Sequence, residues 1–147
     1  MLTKLHPVAG VIGFVTILTF WLSTATSELF GSTAAIATVK ETIPWGFLIL
    51  VTALAIAGAS GFRLGGTSPD PRIVSKKRRM PIIAANGVFI LIPAALYLAT
   101  LASRGEFGTV FYAVQAIELV AGAVNLTLMA LNIRARRRVT GQFMANA

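Results

Sequence analysis

Apolar residues fall in four long runs along this chain, Leu5 to Leu29, Ile43 to Phe62, Pro81 to Leu101 and Val110 to Ile133, separated by short polar segments. Each run approaches the ~20 residues that carry an α-helix across a bilayer, and none shows the alternation of a barrel strand. The pattern predicts an all-α integral membrane four-helix bundle, one transmembrane domain over residues 1–147, built as two helical hairpins. The first run is expected to be a retained span and not a secretory signal, because it exceeds a usual signal core.

Punctuation refines these elements. Between Arg63 and Met80 the chain carries Gly65, Gly66, Pro69 and Pro71, which predicts an irregular central loop, with Pro81 in the first turn of the third helix. Gly31 to Thr42 leaves room for an interfacial turn of helix, whereas Ser103 to Thr109 is a short turn with Gly105 and Gly108. Pro44 and Trp45 mark the expected start of the second helix, and Phe111 with Tyr112 are read as interface anchors of the fourth. Pro93 should bend the third helix and free a carbonyl near Phe89, for which Asn86 or Tyr97 is the expected partner. Close packing is expected at Gly10, Gly13, Gly58, Gly61, Ala121 and Gly122, since small residues let membrane helices approach. Both hairpins run in the same sense, so an inverted-repeat transporter is not predicted.

Composition agrees with the pattern: 56% of the residues are hydrophobic and 12% charged, and mean hydropathy is +0.78. The net charge of +8 alters the picture through its distribution. Lys4, Arg63, Arg72, Lys76, Lys77, Arg78, Arg79, Arg134, Arg136, Arg137 and Arg138 fall on one side of a four-span topology, while Lys40 and Arg104 fall on the other with Glu28, Glu41 and Glu106. Basic residues in short loops stay in the cytoplasm, so the prediction is N-in and C-in. Contact with anionic lipid headgroups is expected at Arg72, Lys76, Lys77, Arg78, Arg79, Arg136, Arg137 and Arg138. No nucleic-acid partner is expected, because no soluble recognition module remains outside the helices.

Polar residues inside the apolar runs are the candidate chemistry. On the fourth run Gln115, Glu118, Gly122, Asn125, Met129 and Asn132 recur at spacings of three and four, one face of a helix. Glu118 lies roughly 12 Å inside its segment by helical rise, where an ionisable side chain needs a partner or a use. The seam Gln115, Glu118 and Asn125 is read as a structural interhelical contact or as a proton or cation relay. Glu28 and Lys40 are its expected outer-side partners, Lys40 folding back from the first outer loop.

A second, inner polar cluster of His6, Ser60, Asn86 and Asn132 is expected to hydrogen-bond between helices. His6, the only histidine, begins the first helix beside Pro7; as a helix cap it is structural, and as an axial ligand it would hold haem b with a second copy of itself or with Met80. Quinone is the other cofactor considered, as a polar contact of Glu118. No catalytic residues are assigned, because His6 and Glu28 lie at opposite ends of a span and no phosphate loop or metalloprotease motif is present. Met1, Met80, Met129 and Met144 are too dispersed for thioether copper, and the absence of cysteine excludes thiol chemistry.

Leu5-His6-Pro7, Phe20-Trp21-Leu22-Ser23-Thr24, Ser27-Glu28-Leu29-Phe30, Lys77-Arg78-Arg79-Met80 with Asn86-Gly87, and Phe111-Tyr112 with Gln115 and Glu118 together resemble a group of small four-span bacterial membrane proteins. The resemblance covers nearly the whole chain. It implies architecture and a bacterial inner membrane, and it transfers no activity. The His-Pro pair is also loosely similar to membrane b-type cytochromes. The resulting expectation is an embedded subunit of a homo-oligomer or larger membrane complex, with proton or cation transport through Glu118 and a haem or quinone redox module as alternatives.

Overall fold

The computed structural model describes the backbone of residues 2–65 and 71–145, and the side chains of residues 4–61, 63–64, 74–75 and 78–134. Five α-helices and one π-helical turn follow each other: α1 (Leu2–Phe30), α2 (Thr33–Gly65), α3 (Pro71–Asn86), the π turn (Gly87–Leu91), α4 (Ile92–Ser103) and α5 (Thr109–Ala145). The third span is α3, the π turn and α4 run end to end. Four segments are long and apolar enough to cross a membrane: Lys4–Phe30, Thr33–Gly61, Arg78–Ser103 and Thr109–Arg134. Their outward residues suit a hydrocarbon solvent, with Leu29, Leu48 and Phe89 all largely exposed. Exposed threonines such as Thr19, Thr52 and Thr127 donate their hydroxyls to carbonyls one turn back, which satisfies the polar group without water.

The spans close into an antiparallel ring: α1 packs along α2, α2 against α4, the third span against α5, and α5 against α1. One end of the ring carries the α1–α2 and α4–α5 turns; the start of α1, the end of α2, the start of α3 and the far end of α5 lie at the other. These are called the turn end and the termini end. At the turn end Ile36, Leu98, Leu101, Ala102 and Phe111 form one apolar cluster, and Ile17, Leu50, Ile83 and Met129 form a second nearer the termini.

Several expectations are corrected. The segment expected as an outer loop is helical from Thr33, because only Gly31 and Ser32 interrupt the chain and the Ser32 hydroxyl accepts from the Ala35 amide. Pro44 therefore lies within α2, where it leaves the Lys40 carbonyl without its usual donor. Trp45 is 76% exposed but lies well past the helix start. Phe111 is no interface anchor: it is fully buried and meets Phe107 edge-on at 5.0 Å between centroids, while Tyr112 points outward. At the termini end α3 begins at Pro71, so Pro81 sits inside the helix and much of the expected central loop is helical. The Gly105 φ of +70° turns the chain into α5.

Pro93 acts on the third span differently from a simple bend. Lacking an N–H, it cannot continue the ladder, and the preceding turn widens so that the Ile92 amide bonds to the Gly87 carbonyl, five residues back. Pro93 then occupies the first turn of α4, a position that tolerates proline. Asn86 does not serve this break; its side chain crosses to α5.

Candidate functional site

Lys40 is fully buried, at 1% exposure, and its Nζ lies 2.5 Å from Glu118 Oε2. The placement follows from α2's inward stripe, in which Ile36, Lys40, Ile43, Leu50, Ala57 and Ser60 fall on the buried face. Lys40 thus reaches Glu118 from within a helix and not by folding back from a loop. Its ammonium also donates to Thr24 Oγ1 at 3.4 Å, and Gln115 Nε2 donates to the same Glu118 oxygen at 3.1 Å. Glu28 completes the group: it lies close enough to feel the charges of both Lys40 and Glu118, yet among the described residues its buried Oε1 has no hydrogen-bond partner. Three helices so contribute two carboxylates, one ammonium, an amide and a hydroxyl to one cluster at the turn end.

A carboxylate and an ammonium held away from water, with the half-buried Glu28 beside them, are costly to assemble and more costly to break. Removing one member of such a pair strands an uncompensated charge and costs about 3–5 kcal/mol. Gln115 and Thr24 supply the extra hydrogen bonds that make the burial tolerable.

Asn125, the third residue of the predicted seam, lies two turns further along α5 and takes no part in the charged cluster. It accepts from Asn86 Nδ2 at 2.8 Å and donates to the Ile83 carbonyl at 3.3 Å, while Asn86 also donates to the Ala121 carbonyl at 2.9 Å. This amide lock ties the third span to α5 beside the π turn.

The four residues expected to form an inner cluster are not brought together as one group. His6 and Ser60 meet: His6 Nδ1 donates to the Ala57 carbonyl at 2.9 Å and lies 3.2 Å from Ser60 Oγ, whose own proton goes to the Ile56 carbonyl. Asn86 belongs to the amide lock, and Asn132 contacts the Met80 sulfur at 4.0 Å. The cluster divides because His6 faces α2 whereas Met80 and Asn132 join the third span to α5. Among the described residues no group of three His, Asp or Glu side chains converges as a metal site requires.

Of the residues expected at lipid headgroups, Arg78 is exposed and Arg79 half-buried, while the side chains of Arg72, Lys76, Lys77, Arg136, Arg137 and Arg138 lie outside the described residues.

Sequence reasoning gave no role to Thr24 and Trp21, both on the inward face of α1. The Trp21 indole N–H donates to the Leu119 carbonyl at 2.9 Å and its ring covers Gly122, where an added Cβ would approach to 2.8 Å. Their signal was available: Trp21, Thr24 and Glu28 repeat at spacings of three and four, a polar stripe facing that of α5.

A cavity of about 320 Å³ lies at the centre of the bundle, bounded by all four spans. Its walls are apolar, with Thr24, Glu118 and Asn125 as the polar residues. No family model, curated protein or solved structure matches the chain.

Proposed function

We propose that the chain is an embedded subunit of a homo-oligomer or larger complex in a bacterial cytoplasmic membrane, with both termini inside and its basic residues against anionic headgroups. The observation that carries this reading is a second depression of about 440 Å³ on the outer surface between the third span and α5, lined by Asn86, Ile90, Ala116, Ile117, Val120 and Val124. In a bilayer such a groove has no aqueous hydrophobic effect to fill it, and small residues along a groove admit the ridge of a neighbouring helix. The test is the native mass of the protein extracted at its natural expression level. A stoichiometric assembly that falls to the single-chain mass in Val120→Trp supports the proposal; a single-chain mass in the unaltered protein sinks it.

One observation favours transport as a second reading. Among the described residues Glu28 Oε1 is buried with no hydrogen-bond partner near the Lys40–Glu118 ion pair, so a second carboxylate stands close to one ammonium, an arrangement from which a proton or cation can be exchanged. Against it, the polar groups beyond Glu118 are asparagines that lock helices together and do not relay protons readily. Proteoliposomes decide between them. A proton or cation flux abolished by Glu118→Gln establishes transport, and well-inserted protein without flux leaves the subunit reading standing.

A further inference from the structure

The central cavity opens sideways. Val51 and Ala55 of α2 and Ala84 and Val88 of the third span line it, and all four are also exposed on the outer surface, so the mouth lies between these two elements. α2 packs closely on α4 but barely touches α3, so the two spans part on the termini side of the π turn. The mouth falls within the stretches Thr33–Gly61 and Arg78–Ser103, both long and apolar enough to lie in a bilayer. Among the described residues its rim is wholly apolar, and a guest therefore enters from the hydrocarbon.

The interior supplies the recognition chemistry. Both hydrogen bonds to Glu118 reach Oε2, and among the described residues no donor reaches Oε1. Thr24 Oγ1 accepts from Lys40, and among the described residues nothing accepts the Thr24 hydroxyl proton. Glu118 and Thr24 both line the cavity from neighbouring spans, so its walls hold one carboxylate oxygen and one hydroxyl proton without a partner among the described residues, the complement of a hydroxyl group, which both donates and accepts. A carboxylate in an apolar enclosure is a strong acceptor for such a hydroxyl. The remaining walls include Phe20, Phe47 and Trp21; Phe20 and Phe47 meet edge-on at 6.2 Å, and the Trp21 N–H is already committed to Leu119, leaving its ring. Aromatic walls favour an aromatic guest through edge-to-face contact. About 320 Å³ is the lower end of the ~300–1,000 Å³ range of small-molecule sites. It holds one substituted ring and leaves any long tail to pass out through the mouth.

We propose that this cavity binds the ring of a membrane-dissolved quinol, with a ring hydroxyl donating to Glu118 Oε1 and accepting from Thr24, and the isoprenoid tail leaving between α2 and α3. Trp21 reports on the site directly. In a Trp45→Phe background it is the only tryptophan, so the full-length protein in nanodiscs of zwitterionic lipid is titrated with decyl-benzoquinol kept reduced, and with its dimethyl ether. Saturable quenching by the quinol is expected, weakened at least tenfold for the ether and in Glu118→Gln, and abolished by Ala55→Phe, which plugs the mouth away from the charged cluster. Quenching that rises linearly without saturating, equal response to quinol and ether, or unchanged binding in Ala55→Phe overturns the proposal. Should Glu118→Gln fail to fold, the ether comparison and Ala55→Phe decide the question unaided.

Discussion

Lys40 shows how far one side chain can depart from its sequence context. Surrounded in the chain by Thr38, Glu41 and Thr42, it has the neighbours of a polar loop, yet it is buried to 1% exposure against Glu118. Glu118 was legible because a carboxylate inside an apolar run is anomalous whatever the fold. Lys40 as its partner was legible only as a charge of the right sign at the right end of a span; its helical position was not, because Thr33 to Thr42 lacks the apolar density by which a span is recognised. Burial of the pair sets a sharp expectation. Lys40→Met leaves Glu118 stranded and should destabilise the protein by about 3–5 kcal/mol, seen as a large fall in melting temperature in detergent. The double variant Lys40→Met with Glu118→Leu removes both charges and should recover most of that loss. An unchanged melting curve for the single variant would mean that the pair contributes nothing.

Elements were legible where hydrophobicity and small residues spoke together, and less so where proline was the only guide. Proline was read as a boundary at residues 44 and 81, but both positions lie inside helices, since a helix anchored on either side absorbs one missing donor. At Pro93 the same missing donor goes with a π turn, directly after Asn86, whose side chain is held against α5. The glycines separate in the same way. Gly13, Gly61 and Gly122 each lie under a side chain of another helix, with an added Cβ meeting Leu54 at 3.0 Å, His6 at 2.7 Å and Trp21 at 2.8 Å, whereas Gly10 and Gly58 meet nothing within 4 Å. The spacing that suggested helix packing for all of them could not tell an inward from an outward glycine. Valine at Gly61 or Gly122 should therefore cost about 1–3 kcal/mol through forced separation of the helices. Alanine at Gly10 or Gly58 should be neutral, or stabilising by up to about 1 kcal/mol through helix propensity. Thermal unfolding followed by helical circular dichroism compares the two sets, and equal losses in both would show that the inward and outward glycines are equivalent.

At the scale of the whole molecule, charge and topology combine into a single question of orientation. Basic residues crowd the termini end, where Lys4, Arg63, Arg78, Arg79 and Arg134 lie, while the acidic Glu28 and Glu106 mark the turn end. Each basic residue near an anionic surface contributes about 1 kcal/mol of attraction, and basic flanks resist translocation, so both effects favour the proposed orientation, with the termini end in the cytoplasm. The absence of cysteine makes this directly measurable, because any introduced thiol is unique. Glu106 and Arg78 are exposed at opposite ends of the third span and its following turn, which makes them a matched pair. In intact spheroplasts a membrane-impermeant maleimide should label Glu106→Cys at once and leave Arg78→Cys unlabelled until the membrane is opened. The reverse pattern would put the termini outside and the Lys40–Glu118 cluster at the cytoplasmic end. Labelling of both in intact cells would mean that the third span does not cross the bilayer, and the ring of four spans would have to be redrawn.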